Sequence, residues 1–424
     1  MNKSSTANLV KRWELPKREV CYQGLSQDDI SQWINFQKAT LQMVSDSPLP
    51  NERMEWWKYT SPRMLFGILE NDSVNYSNEK QLKDVEVSVS GPTIGVADAT
   101  FQNVKTFDSI ESKKEGQFDL LHDMAPLDQG ARSIFFLQQL FSSAVTLIRV
   151  PSGTKFKEPF FINAKAKSAV GSYLTIIIVE RGASAEFVEE VESFAGSSLL
   201  MGRTEILVDS EGLCSYTLSG ATKGEHSLFH RIRGHVGRAS SLDVTSAIFG
   251  AKAARIEVDC LMKKDGGQAK IRSLAIGSDK THFDLHTNQI HIAPNCKSEL
   301  SANAVMSDRA RSVYYGLIEV AENAHGTDAY QSSKNLLLSE DARADSVPNL
   351  KILANEVKCS HGATVAQLND DELFYMQSRG MSRKMAENLL VSGFIGKTVA
   401  EIPGKFGRDK VQSTLSTTGM SLEA

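Results

Sequence analysis

Small-residue turns recur through the middle of this chain at a nearly fixed interval. Gly182-Ala183-Ser184, Gly212-Leu213-Cys214, Ala239-Ser240-Ser241, Gly266-Gly267-Gln268, Cys296-Lys297-Ser298 and Ala324-His325-Gly326 follow one another at spacings of 30, 27, 27, 30 and 28 residues. Polar–apolar alternation follows most of them, as in Ala185-Glu186-Phe187-Val188, Leu242-Asp243-Val244 and Ala269-Lys270-Ile271. Alternation with period two is strand-like, and a fixed repeat of this length built from strands signals a β-solenoid or an array of hairpins. One rung cannot bury its apolar face alone and must stack on its neighbours. A large β-sandwich is the competing architecture, because its strands are also short and evenly spaced. So regular a register favours the solenoid.

The flanks have a different texture. Residues 1–142 read as a mixed, mostly helical domain. Ser26 with Asp29 resembles a capping box, opening a helix in which Ile30, Trp33, Ile34, Leu41 and Val44 line one face. All four tryptophans fall within the first 57 residues, where the ordinary expectation is that they build the core of a small N-terminal unit. Residues 143–365 form the β core. In residues 366–424, Asn369 with Glu372 is a capping-box variant ahead of Leu373-Phe374-Tyr375-Met376, and Gly380 fits a helix stop. Ser382 caps a second helix with Met385, Ala386, Leu389, Leu390 and Phe394 on one side. Two short amphipathic helices are thus expected, followed by a Ser/Thr-rich tail without fixed structure.

Composition narrows the function. Among 424 residues, 47 Lys and Arg against 51 Asp and Glu give a net charge of −4. Without a basic block, such a chain is a poor binder of nucleic-acid phosphates. No apolar run reaches the roughly 18 residues of a membrane helix. The first twenty residues carry charges and no apolar core, so no signal peptide is visible. Five cysteines, odd in number and never spaced Cys-x-x-Cys, make neither a disulfide framework nor a zinc ribbon. The expectation is a reduced, soluble, cytoplasmic protein.

Three loci carry candidate chemistry. Gly393-Phe394-Ile395-Gly396-Lys397-Thr398 imitates a phosphate loop, but the pattern needs a glycine where Val391 stands and a strand ahead of the loop. The expectation is a helix end with a solvated lysine and no ATP site on this chain. His282, Asp284 and His286 alternate, so on a strand they share a face that suits a divalent metal. Same-face neighbours lie about 6.6 Å apart, too far for three to converge on one ion without a bend; a polar face of hydrogen-bonded histidines is the other reading. Cys359 and His361 also alternate, in Cys359-Ser360-His361, with Lys358 beside them to lower the thiol pKa. Thiolate and imidazole suit iron–sulfur species, but such clusters usually take four protein ligands and this locus offers two. Either a second chain supplies the rest, or Cys359 is an ordinary buried cysteine.

A longer, ordered set of segments carries a resemblance. Gly316-Leu317-Ile318, Asp328-Ala329-Tyr330-Gln331, Asn335-Leu336-Leu337-Leu338-Ser339 and Ala342-Arg343-Ala344-Asp345-Ser346-Val347-Pro348 come first. Val357-Lys358-Cys359-Ser360-His361-Gly362-Ala363-Thr364 and Leu373-Phe374-Tyr375 ahead of Ser378-Arg379-Gly380 follow. Together with Glu55-Trp56-Trp57-Lys58-Tyr59-Thr60 and weaker upstream matches, they resemble the SufB/SufD family of SUF iron–sulfur cluster assembly scaffolds. Where SufB-type chains carry His-Glu-Ala-Thr, this chain has His361-Gly362-Ala363-Thr364, and with its Cys-Ser-His spelling and shorter length it is more similar to the SufD branch. The resemblance implies a right-handed parallel β-helix between helical domains and a non-catalytic scaffold role. It implies pairing with SufB through the β-helix, or with a second copy when SufB is absent. A nascent cluster shared with SufB would form at Cys359 and His361, His361 being the expected ligand of the two. It also implies docking of the ATPase SufC on the C-terminal helices through Leu373, Phe374, Tyr375, Leu389, Leu390 and Phe394. The alternative is a metal-dependent enzyme on a β-solenoid, using His282, Asp284 and His286.

Overall fold

The computed structural model describes residues 21–23, 50–66, 85–91, 142–192, 198–221 and 226–417, with Gln27, Ile30, Ser31, Ile34, Ile134 and Gln138 as isolated positions. Strands alternate between two sheets along the chain. The first sheet takes β1 (Cys21–Gln23), β3 (Ala144–Val150), β5 (Val170–Val179), β7 (Ser198–Val208), β9 (His226–Val236), β11 (Ala253–Met262), β13 (His282–His291), β15 (Arg311–Val320) and β17 (Arg343–Ile352). The second takes β2 (Val85–Ser90), β4 (Phe160–Ala166), β6 (Ser184–Glu192), β8 (Leu213–Ala221), β10 (Ser241–Phe249), β12 (Gln268–Gly277), β14 (Lys297–Met306), β16 (Asp328–Leu337) and β18 (Lys358–Gln367). Every pairing is parallel except β2 with β4. The chain is therefore a parallel β-solenoid, each turn of which adds one strand to each sheet. β1 and β2 come from the N-terminal residues expected to be mostly helical and extend the two sheets, β1 in parallel and β2 antiparallel.

One backbone device fixes the period. Gly153, Gly182, Glu211, Ala239, Gly266, Asn295, Gly326 and Glu356 all have positive φ, between 50° and 71°. Each sits in the turn leading toward an even-numbered strand. The left-handed conformation turns its N–H along the solenoid axis to a carbonyl of the next rung. Gly182 donates to Ser210 O (3.0 Å), Glu211 to Arg238 O (2.9 Å), Ala239 to Asp265 O (3.0 Å) and Asn295 to His325 O (2.8 Å). The turns are thus stitched like the strands, and buried backbone groups there find partners.

The lumen is filled by side chains such as Ile177, Ile206, Ile232, Val258, Phe187 and Ile271. Strands β7 to β13 of the first sheet are buried on both faces, and residues 50–66 lie over the outer side at β9, β11 and β13. There Trp57 stacks on the Arg255 guanidinium at 3.9 Å, and Trp56 meets His286 and Tyr315 at 5.2 and 5.6 Å. These two tryptophans pack on the solenoid rather than making a separate N-terminal core. Of the helix expected after Ser26, only Gln27, Ile30, Ser31 and Ile34 are described, and they are helical; the rest lies outside the described residues.

Two helices cover the outer side of the second sheet, α3 (Arg383–Ala400) and α4 (Lys405–Ser416), and α2 (Asp370–Ser378) packs on α3; α1 is the short Pro62–Phe66. Asn369 caps α2 through Asp371 N and Ser382 caps α3 through Met385 N, as their sequence signatures require. Gly380, at φ 91°, ends α2. Val391, Ile395, Val399, Val411 and Leu415 pack on Phe249, Leu274, Ile276 and Val305. The region expected to be a tail therefore holds a third, docked helix.

Candidate functional site at the open end of the solenoid

Among the described residues, no strand follows β17 or β18 in either sheet. The outer strands bury little: β17 is half-buried to exposed and β18 mostly exposed. Lys358 N donates to Thr327 O at 2.8 Å, so the even-numbered residues of β18 bond back to β16. Its odd-numbered residues present their N–H and C=O groups to the open side. The side chains of those same residues face the lumen, since Cys359 pairs with Ala329 and His361 with Gln331, both buried. In β17, Arg343 N and Leu353 N bond to Ala310 O and Val320 O. The even residues of β17 are then the outward-bonding ones, and Pro348 is among them, at a position where its missing N–H costs no ladder bond.

Cys359 and His361 thus stand side by side on one face of the last strand, as their alternation requires. Cys359 is half-buried against Ile318, Val320, Ala324 and Ala329; His361 is exposed. Burial, then the Asp328 carboxylate, raises the Cys359 thiol pKa. The lowering expected from Lys358 fails because Lys358 lies on the opposite face of the strand. The described cysteines deeper in the fold, Cys214, Cys260 and Cys296, have thiols pushed up by burial, which suits inert core positions.

His282, Asp284 and His286 do share a face of β13, the outer one beneath residues 50–66. Each is already engaged. His282 Nε2 lies 2.8 Å from Thr60 Oγ1, Asp284 Oδ2 takes Arg255 Nη1 at 2.9 Å, and His286 Nε2 lies 2.9 Å from Asp284 Oδ1. Burial pushes the Asp284 carboxyl up, but His286 and Arg255 outweigh it and hold it below the usual range. The trio is a buried polar seam between the N-terminal segment and the solenoid. Among the described residues, no group of three His, Cys, Asp or Glu side chains is placed to hold a metal ion.

Gly393 to Thr398 lies inside α3, not at a strand–loop–helix junction, with Lys397 exposed. On the C-terminal helices, Leu373 is core (1% exposed), Phe374 and Tyr375 are 74% and 60% exposed, and Leu389, Leu390 and Phe394 are half-buried. Met385, expected on the apolar side of this helix but not among the docking residues, is 60% exposed.

Comparison with known proteins gives the family. Residues 160–394 match the family model described as "SUF system FeS cluster assembly, SufBD core domain". The chain is 25% identical over 370 residues to the iron-sulfur cluster assembly protein SufD of Escherichia coli (strain K12), covering 84% of this chain and 85% of that one. It is 26% identical over 380 residues to an iron-sulfur cluster assembly SufBD family protein of Mycobacterium tuberculosis, covering 87% and 88%. Against the iron-sulfur cluster assembly protein SufB of Bacillus subtilis (strain 168) it is 26% identical over 272 residues, covering 62% and 58%. With more than half its length matched by the family model, the chain belongs to the SufB/SufD family of the SUF iron–sulfur cluster assembly system.

Proposed function

We propose that this chain is a non-catalytic, SufD-type scaffold of the cytoplasm, whose open solenoid end pairs with SufB to complete a site for a nascent iron–sulfur cluster. One observation carries the reading: Cys359 and His361 face the lumen from an outermost strand whose outward N–H and C=O groups meet no further rung among the described residues. Two ligands cannot hold a cluster alone. An incoming strand on this edge would satisfy the open backbone groups and bring further ligands to the same place. The cluster is cargo, and the exposed imidazole of His361 is the readier of the two to meet it. In the absence of SufB, a second copy of this chain could use the same edge.

The C-terminal helices supply the other contact. Phe374 and Tyr375 of α2 and Met385 of α3 are exposed apolar side chains suited to a groove on the ATPase SufC, and Leu389, Leu390 and Phe394 of α3 are half-buried; Leu373 is withdrawn into the core. No nucleotide site is assigned to this chain. ATP-driven approach of two SufC subunits would be felt through α3 and α4, which pack directly on the second sheet. It can reshape the SufB interface only to the extent that SufC binds the two states with different affinity.

The test is the iron and acid-labile sulfide content of the complex, co-expressed with SufB and SufC and purified without oxygen. Comparison is between wild type and the Cys359→Ser/His361→Ala double variant. Iron and sulfide together, lost in an otherwise intact variant complex, support the site. Equal yields overturn it, and a single metal without sulfide on the lone chain would favour the His282, Asp284 and His286 reading.

A further inference from the structure

The last rung has little burial to hold it, yet the two ligands on it must be placed accurately for a cluster to form between chains. Below them lies a hydrogen-bonded bridge across the lumen. Gln331 is fully buried on β16, directly opposite His361 in the strand register. Its Nε2 donates to Asn349 O on β17 at 3.3 Å, and its Oε1 accepts from the Tyr314 hydroxyl of β15 at 3.0 Å. The amide orientation follows from chemistry, because a carbonyl can only accept and so must face the NH₂ end. One side chain therefore ties both sheets together immediately beneath the strand that carries His361 and Cys359.

Gly316 shows that the bridge is built into the fold. A Cβ at that position would collide with the Tyr314 hydroxyl and with Gln331 Oε1. The glycine is the gap into which the pair fits. Its φ is not in the left-handed region, so space rather than backbone conformation accounts for it.

We propose that Gln331 is a positioning residue for the Cys359–His361 site, fixing the separation of β17 and β18 at the open end through Tyr314 and Asn349. This rests on the scaffold reading above. Outer residues that orient metal ligands typically alter metal binding by about tenfold or more when replaced.

The test uses the full complex with SufB and SufC, comparing Gln331→Leu, Tyr314→Phe, His361→Ala and Gln289→Leu. Gln289 is an equally buried glutamine in the lumen, bonded to Ser298 and to Tyr330 O but not to β17, so its variant reports the loss of a buried lumenal amide outside the Tyr314–Gln331–Asn349 bridge. Iron and sulfide per intact complex should fall about tenfold in Gln331→Leu, fall less in Tyr314→Phe, and stay near wild type in Gln289→Leu. Equal losses in the two glutamine variants would mean packing only and overturn the proposal, as would no loss in Gln331→Leu while His361→Ala loses its cluster. No loss in His361→Ala overturns the site and its positioning residue together.

Discussion

Substitution at Cys359 and His361 separates their roles. His361→Ala should lower cluster yield more than Cys359→Ser, because a partner can bring thiolates but not a replacement for this exposed imidazole; equal losses, read as iron and sulfide on the complex, would contradict that ranking. Elsewhere burial depresses histidines. His230 and His291, inside the lumen, are held down to about 3 and about 4 by burial. The unfolded chain takes up these protons first, so their stabilisation is present above pH 6.5 and lost as pH falls. For His291 the loss reaches at most about 3 kcal/mol near pH 4, and His291→Gln should flatten the slope of unfolding free energy between pH 6.5 and 4. The Cys359–His361 pair was legible because period-two alternation puts such residues on one face in any strand. The thiol's raised pKa was not, since it depends first on burial against the neighbouring rung and then on Asp328 of β16.

The turn is the element that sets the solenoid, and its sequence signal was only half visible. Glycine marks the left-handed residue at 153, 182, 266 and 326, but Glu211, Ala239, Asn295 and Glu356 occupy the same conformation without announcing it. Nothing lies within 4 Å of a Cβ built on Gly182, so Gly182→Ala isolates the backbone penalty, about 1 kcal/mol by denaturant unfolding. Ala239→Gly should move stability the other way by a similar or smaller amount. α4 escaped sequence reading because its cap comes from elsewhere. Gly404 offers no side chain, and Glu186 of β6 accepts the Gly407 N–H at 2.7 Å instead, reinforced by the Lys410–Glu190 ion pair. Glu186→Ala should cost about 1 kcal/mol and raise amide exchange in α4 ahead of α3; unchanged exchange in α4 would show that its apolar face alone docks it.

At the scale of the whole molecule, repetition was readable and termination was not. A fixed period tells that rungs stack, but where the stack stops depends on which edges remain unpaired. The N-terminal covering of the first sheet was equally hidden, because the two described tryptophans serve the solenoid through Arg255, His286 and Tyr315, about 200 to 260 residues away in sequence. The open end makes a directional claim about substitution. Ala363→Pro removes an outward N–H from β18 and should abolish pairing with SufB while leaving the solenoid folded. Thr364→Pro removes a bond to β16 and should destabilise the rung itself. Circular dichroism and gel filtration distinguish the two. The most direct measurement is amide hydrogen exchange along β18, alone and in the SufB complex. Protection should appear on binding at Cys359, His361, Ala363 and Val365, the residues whose N–H groups face the open edge. A complex that forms with those amides still exchanging freely would contradict a partner strand on this edge, and with it the shared cluster site.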